Sequence, residues 1–237
     1  MREVRFLCLA VSRKMNGYCI AGIDINTGEW IRPINAKSHG AFADPEITVI
    51  DGETQKRRLL KLLDILHLRP ERYVGNSVQP ENWEIVPASY DDAWPVLGRF
   101  DGRQSAGTLT SYLDHDGPLL HTYSSTVPAD DLFAQKLSHS LSIIRPVQPY
   151  WKVGPHPTYP DRLRVEADFC FDGDKYLISV TDPTWEARCR RSGPGRHPHS
   201  TIAGDSAGPV FLTISLAEVP LNGYHYKLVA GVVNLPA

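Results

Sequence analysis

Three runs decide how this chain reads: Val4-Arg5-Phe6-Leu7-Cys8-Leu9-Ala10-Val11, Tyr18-Cys19-Ile20-Ala21-Gly22-Ile23-Asp24-Ile25 and Gly28-Glu29-Trp30-Ile31-Arg32-Pro33. Polar breaks ending in Gly17 and Gly28 separate them, so the N-terminus predicts a three-strand meander. On the third strand Trp30 and Arg32 are two residues apart, and strand alternation puts both side chains on one face. An indole beside a planar cation suits a flat anionic ligand such as single-stranded nucleic acid. The same spacing also fits a core tryptophan next to a solvated arginine.

Outward from that meander, residues 57–68 fit either a helical stripe or a strand, with the strand favoured over 62–68, and 82–86 alternates as a fifth strand. Residues 89–137 read differently. Ser89 followed by Asp91 and Asp92 looks like a helix start, and 108–113 and 130–137 are further helical candidates. Strand signals return at 141–147, 163–171, 175–180, 210–216 and 224–233, with Asp172-Gly173-Asp174 and Leu221-Asn222-Gly223 as turns. Tyr18, Ile20 and Asp24 can be laid on Tyr176, Ile178 and Asp182 at equal offsets. Five strands in each half and this rhyme suggest a duplicated five-stranded unit, and the common closed unit of that size is the OB-fold. The expected class is therefore mainly β: two OB-like five-stranded barrels over 1–88 and 139–237, joined by a mostly helical or irregular connector over 89–138.

The 237 residues are 42% hydrophobic and 22% charged, a globular balance, with a formal net charge of −2. A slightly acidic chain is no polycation, so any nucleic-acid surface must come from local clustering of arginine and lysine. The apolar run near the N-terminus is too short for a signal core or a membrane span, which points to a cytoplasmic protein without membrane association. Cys8, Cys19, Cys170 and Cys189 form no Cys-x-x-Cys pair, and three of them lie in predicted strands as buried thiols do.

The runs 9–14, 19–22, 28–33 and 79–83, with Ser215-Leu216 and 226–231, together resemble the prokaryotic dual OB-containing domain family. The likeness covers most strands and both ends of the chain, and none of 89–137. It implies two OB-like barrels and a role in binding nucleic acid within bacterial defence or conflict systems, and it supplies no catalytic residues.

The candidate contacts follow from residue type. Arg13 and Lys14 sit at the first strand turn, Arg32 on the third strand, and Tyr226 with Lys227 on the last, where cations could meet phosphates. Gln79-Pro80-Glu81-Asn82-Trp83 offers amides to read a base edge, Asn82 among them, and Trp83 to stack on it, or else a structural bend. Arg188, Arg190, Arg191 and Arg196 form the densest basic cluster, read as a flexible arm within an irregular 184–209 loop. Cys189, His197 and His199 lack a fourth ligand at zinc spacing, and Gly204-Asp205-Ser206-Ala207-Gly208 departs from the serine-protease turn at Ala207. No phosphate-cradling loop, cofactor motif or nucleophile elbow is present. The expected function is a non-enzymatic module for single-stranded DNA, RNA or a nucleotide. The alternatives are an adaptor that docks protein partners through 89–137, and a metal-dependent hydrolase using Asp24, Glu81 or Asp182.

Overall fold

A computed structural model describes residues 3–14, 17–38, 40–89, 91–100, 109–134 and 137–235. The chain divides into two compact units, one of residues 1–105 with 137–139, the other of 106–136 with 140–237.

The first unit is built on β1 (Val4–Lys14), β2 (Gly17–Asp24) and β3 (Trp30–Ile34), an antiparallel meander as expected. The turn between β2 and β3 closes on Gly28, whose amide donates to the Asp24 carbonyl at 2.7 Å with φ at 77°. Five further strands lie among 48–85: β4 (Thr48–Ile50), β5 (Arg57–Leu59), β6 (Asp64–Leu68), β7 (Pro70–Tyr73) and β8 (Asn82–Ile85). With β9 (Trp94–Arg99) they form one sheet of order β5-β4-β9-β6-β1-β2-β3-β8-β7. The β3–β8 step is parallel. β6 pairs with β1, β7 pairs with β8, and only Arg69 separates β6 from β7. Phe6, Cys8, Ile20, Ile31, Leu66 and Ile85 gather in the core of this unit. The opposite face is buried too: Leu7 and Ile23 are opposed in the ladder and both are shielded, and Trp30 opposite Ile23 is half-buried.

The second unit contains β10 (Thr126–Pro128), β11 (Leu141–Ile144), β12 (Val147–Pro155), β13 (Leu163–Phe171), β14 (Asp174–Val180), β15 (Gly195–Pro198), β16 (Val210–Leu216) and β17 (Tyr224–Asn234). Their order is β11-β16-β17-β14-β13-β12-β15, with β10 also on β17. Here β14–β17 is the parallel step, and only Arg145 and Pro146 separate β11 from β12. The two hairpin turns behave as their sequences predict. Asp172 and Gly173 both take positive φ, as do Asn222 and Gly223, the backbone that a tight two-residue hairpin needs.

Three expectations change. The described residues of 89–138 are not mostly helical: β9 belongs to the first sheet and β10 to the second. Their helical content is a turn at 109–110, a 3₁₀ turn at Leu119–His121 and α1 (Ala129–Ala134). Ser89 Oγ accepts from the Asp92 amide at 3.0 Å, closing a turn in place of the expected helix start. The 184–209 stretch is ordered, holding α2 (Pro183–Arg191), β15 and α3 (His199–Ala203). The rhyme also fails in register, because β2 has antiparallel neighbours on both sides whereas β14 has a parallel one.

Candidate nucleic-acid interface

In the second unit, alternation leaves one sheet face to solvent. Along β13 the residues Val165, Ala167, Phe169 and Phe171 are buried, and Arg164, Glu166, Asp168 and Cys170 point the other way. The ladder sets Lys152 opposite Glu166 and Glu166 opposite Ser179 as one row, and Tyr150 opposite Asp168 and Asp168 opposite Leu177 as the next. β15 extends these rows, with Arg196 opposite Lys152 and Pro198 opposite Tyr150. Exposed Lys175 lies opposite Cys170.

The face carries four cations, Lys152, Arg164, Lys175 and Arg196, against the carboxylates Glu166 and Asp168. Arg164 Nη2 lies 3.0 Å from Glu166 Oε1, and Lys152 Nζ lies 3.7 Å from Glu166 Oε2. Arg164 Nε also donates to Ser179 Oγ at 2.9 Å. Arg196 Nε donates to Asp168 Oδ2 at 2.8 Å, which raises the Arg196 guanidinium above its ordinary value, and its guanidinium carbon is 3.5 Å from the centre of the Tyr150 ring. These are surface pairs, weak enough to exchange for a ligand.

α2 borders the start of β13. Asp182 caps it, its Oδ1 accepting from the Thr184 and Trp185 amides, and Arg188, Arg190 and Arg191 fill its last turn. Arg190 Nη2 donates to the Leu163 carbonyl at 2.9 Å and to Glu186 Oε1 at 2.7 Å. Arg188 lies 5.5 Å over the Trp185 ring, and Arg191 is exposed. The four expected arm residues are thus fixed on a helix and an edge strand, and Arg190 and Arg196 flank the polar face.

The other expected contacts are placed differently. Arg32 is 5% exposed, and its Nε donates to Glu81 Oε1 at 2.9 Å, so its cation already has a buried carboxylate. Asn82 is buried opposite Arg32 in the β3–β8 ladder, and its Oδ1 has no hydrogen-bond partner among the described residues. Trp83 packs against the core and meets Tyr73 edge-on at 5.2 Å. Arg13 is exposed over the Tyr18 ring at 5.6 Å, and Lys14 is half-buried. Tyr226 is at the surface, but Lys227 is 1% exposed. Its Nζ donates to the Thr122 carbonyl, Thr122 Oγ1 and the Ser124 carbonyl at 2.6, 2.8 and 2.7 Å, and burial pushes the ammonium down to about 7. Arg32 and Lys227 therefore anchor the interior, where they cannot meet phosphates without leaving their partners.

The carboxylates named for hydrolysis are engaged as well. Asp24 Oδ1 accepts from the Asn26 amide, Glu81 holds Arg32, and Asp182 is divided between the α2 cap and the Val232 amide. Among the described residues no three of His, Cys, Asp and Glu gather as a metal cluster, and none of the four cysteines is in a disulfide. Burial pushes the Cys189 thiol up to about 12. His199 Nδ1 accepts from Trp151 Nε1, so its Nε2 proton goes to Asn234 Oδ1. No described helix is long and apolar enough to cross a membrane.

The chain folds as two sheets, and the family model of the dual OB-containing domain matches residues 4–232. The chain belongs to the dual OB-containing domain family. No curated protein and no solved structure matches it. Within this dual OB protein, sequence reasoning missed Tyr150, Lys152 and Arg164. The available signal was the strict alternation of 163–171, which marks Arg164, Glu166 and Asp168 as one solvent face.

Proposed function

We propose that this dual OB protein binds single-stranded nucleic acid, and that the strand lies across the solvent face of β12–β13–β14 in the second unit. The observation that carries the reading is that Lys152, Arg164 and Arg196 share that face with Tyr150, whose ring Arg196 overlies. In OB-folds the face of the second and third strands is the usual platform for oligonucleotides. Each unit supports the OB-type ring: the paths β1-β2-β3-β8-β7 and β12-β13-β14-β17-β16-β11 each contain one parallel step after the third strand. That β6 runs directly into β7, and β11 into β12, favours the same arrangement. The first unit, whose meander is buried on both faces, acts as the scaffold.

Cations along a strand bind phosphates and release counterions, so affinity must fall linearly with salt on logarithmic axes. Fluorescence titration of the full chain with a labelled single strand across a salt series tests this. Replacing Lys152 by alanine should lower the slope by about one if it meets one phosphate. A flat salt response, or a slope indifferent to Lys152→Ala and Arg164→Ala together, removes this face from consideration.

A further inference from the structure

In the free protein the stacking surface of the proposed interface is already covered. Arg196 reaches diagonally across the ladder: its own backbone faces Lys152, its guanidinium lies 3.5 Å from the Tyr150 ring centre, and its Nε reaches Asp168 Oδ2 at 2.8 Å. Tyr150 and Asp168 are directly opposed in the β12–β13 ladder, so one side chain is held over both. A guanidinium is flat and stacks on aromatic rings much as a base does.

Resting on the interface reading above, we propose that Arg196 is a latch. Asp168 holds it on Tyr150 when no ligand is bound. An incoming single strand displaces it, a base taking the ring and a phosphate taking the guanidinium. Both contacts given up are weak at a surface, and base stacking with a charge-assisted phosphate contact replaces them. The latch also selects its ligand. A base held inside a duplex has no free face to offer Tyr150, so duplex DNA has nothing to exchange for the stack. Glu166, by contrast, touches Lys152 and Arg164 but covers no ring.

The test uses the full chain, labelled with nitrogen-15, and a short oligothymidylate. The Arg196 Nε–H resonance, assigned through Arg196→Lys, should sit upfield in the Tyr150 ring current. It should lose that displacement in Tyr150→Leu and at saturation with the oligonucleotide. Asp168→Asn should tighten binding about threefold more than Glu166→Gln, which removes an equal charge without freeing a ring. That excess should vanish in a Tyr150→Leu background. These side chains face solvent, and the rest of the spectrum reports that the fold is kept. A resonance that stays upfield at saturation, or equal gains from Asp168→Asn and Glu166→Gln, overturns the latch and leaves the interface standing. Binding by Asp168→Asn alone supports a latch held shut, and binding by neither it nor the native chain at low salt overturns latch and interface together.

Discussion

Lys227 Nζ donates a 2.6 Å hydrogen bond to the main-chain carbonyl of Thr122, a residue 105 positions earlier in the chain. Two further bonds from the same ammonium, to Thr122 Oγ1 and the Ser124 carbonyl, tie this segment to β17. In the unfolded chain the amine keeps its ordinary value near 10.5, and in the folded chain burial lowers it to about 7. Between those values the unfolded state holds the extra proton, so the contribution of Lys227 to stability rises with pH. Urea midpoints of the native chain relative to Lys227→Met should therefore climb from pH 7 towards pH 9 and be level below pH 7. A difference independent of pH would show that the ammonium stays charged throughout. Amide exchange over 122–126 should be faster in the variant at any pH.

Arg32 and Glu81 form an interior pair, their side chains 6% and 2% exposed. Removing one partner leaves a buried charge uncompensated, at a cost of about 3–5 kcal/mol. Arg32→Ala and Glu81→Ala should each destabilise strongly in denaturant, and the double variant should cost much less than their sum. Neither should alter the salt slope of ligand binding in protein that remains folded. A lowered slope for Arg32→Ala would return that residue to the ligand.

Asp182 serves two structures with one carboxylate, capping α2 through Oδ1 and holding the Val232 amide of β17 through Oδ2. Burial raises this carboxyl above its usual range, against the pull of the three amides. Asp182→Ala should cost about 1–2 kcal/mol for the lost cap and a further ~1–3 kcal/mol for the buried amide left unpaired. Asp182→Ser, able to cap but too short for both tasks, should fall between the native chain and alanine. Equal loss in both variants would assign the whole effect to Val232.

Gly22 on β2 sits beside the β1 bulge between Cys8 and Ala10, with no room for a side chain. A Cβ there would lie 1.9 Å from the Leu7 carbonyl oxygen and 2.8 Å from the Phe6 ring. Backbone must shift to admit it, so Gly22→Ala should destabilise by about 1–3 kcal/mol, read from the denaturant midpoint. Gly98→Ala, where an added Cβ would meet nothing within 4 Å among the described residues, is the matched control and should cost little.

Much of the fold was legible because strands announce themselves by alternation. Residues 163–171 and 210–216 were located to the residue, and the meander at 4–34 was found with its turns. β12 escaped notice because Pro149 and Pro155 interrupt a run whose inward residues, Trp151 and Val153, are few. α2 was read as loop although Asp182, Pro183 and the terminal arginines are ordinary helix boundary signals; the density of charge obscured them. The site was less legible than the fold. Arg32 and Lys227 look like surface cations in one dimension, and only the partners Glu81 and Thr122, 49 and 105 positions away, reveal them as buried. Tyr150 and Arg196 are 46 positions apart and meet only through the β12–β15 pairing.

The contrast between β1, whose residues from Phe6 to Ser12 are all shielded, and β13, where every second side chain meets water, has an evolutionary consequence. Substitutions along β1 are constrained by packing, so that strand has little freedom to drift. Arg164, Glu166, Asp168 and Cys170 carry no such obligation. If this face is the proposed interface, a lineage can retune its ligand one outward position at a time without risking the scaffold that displays it.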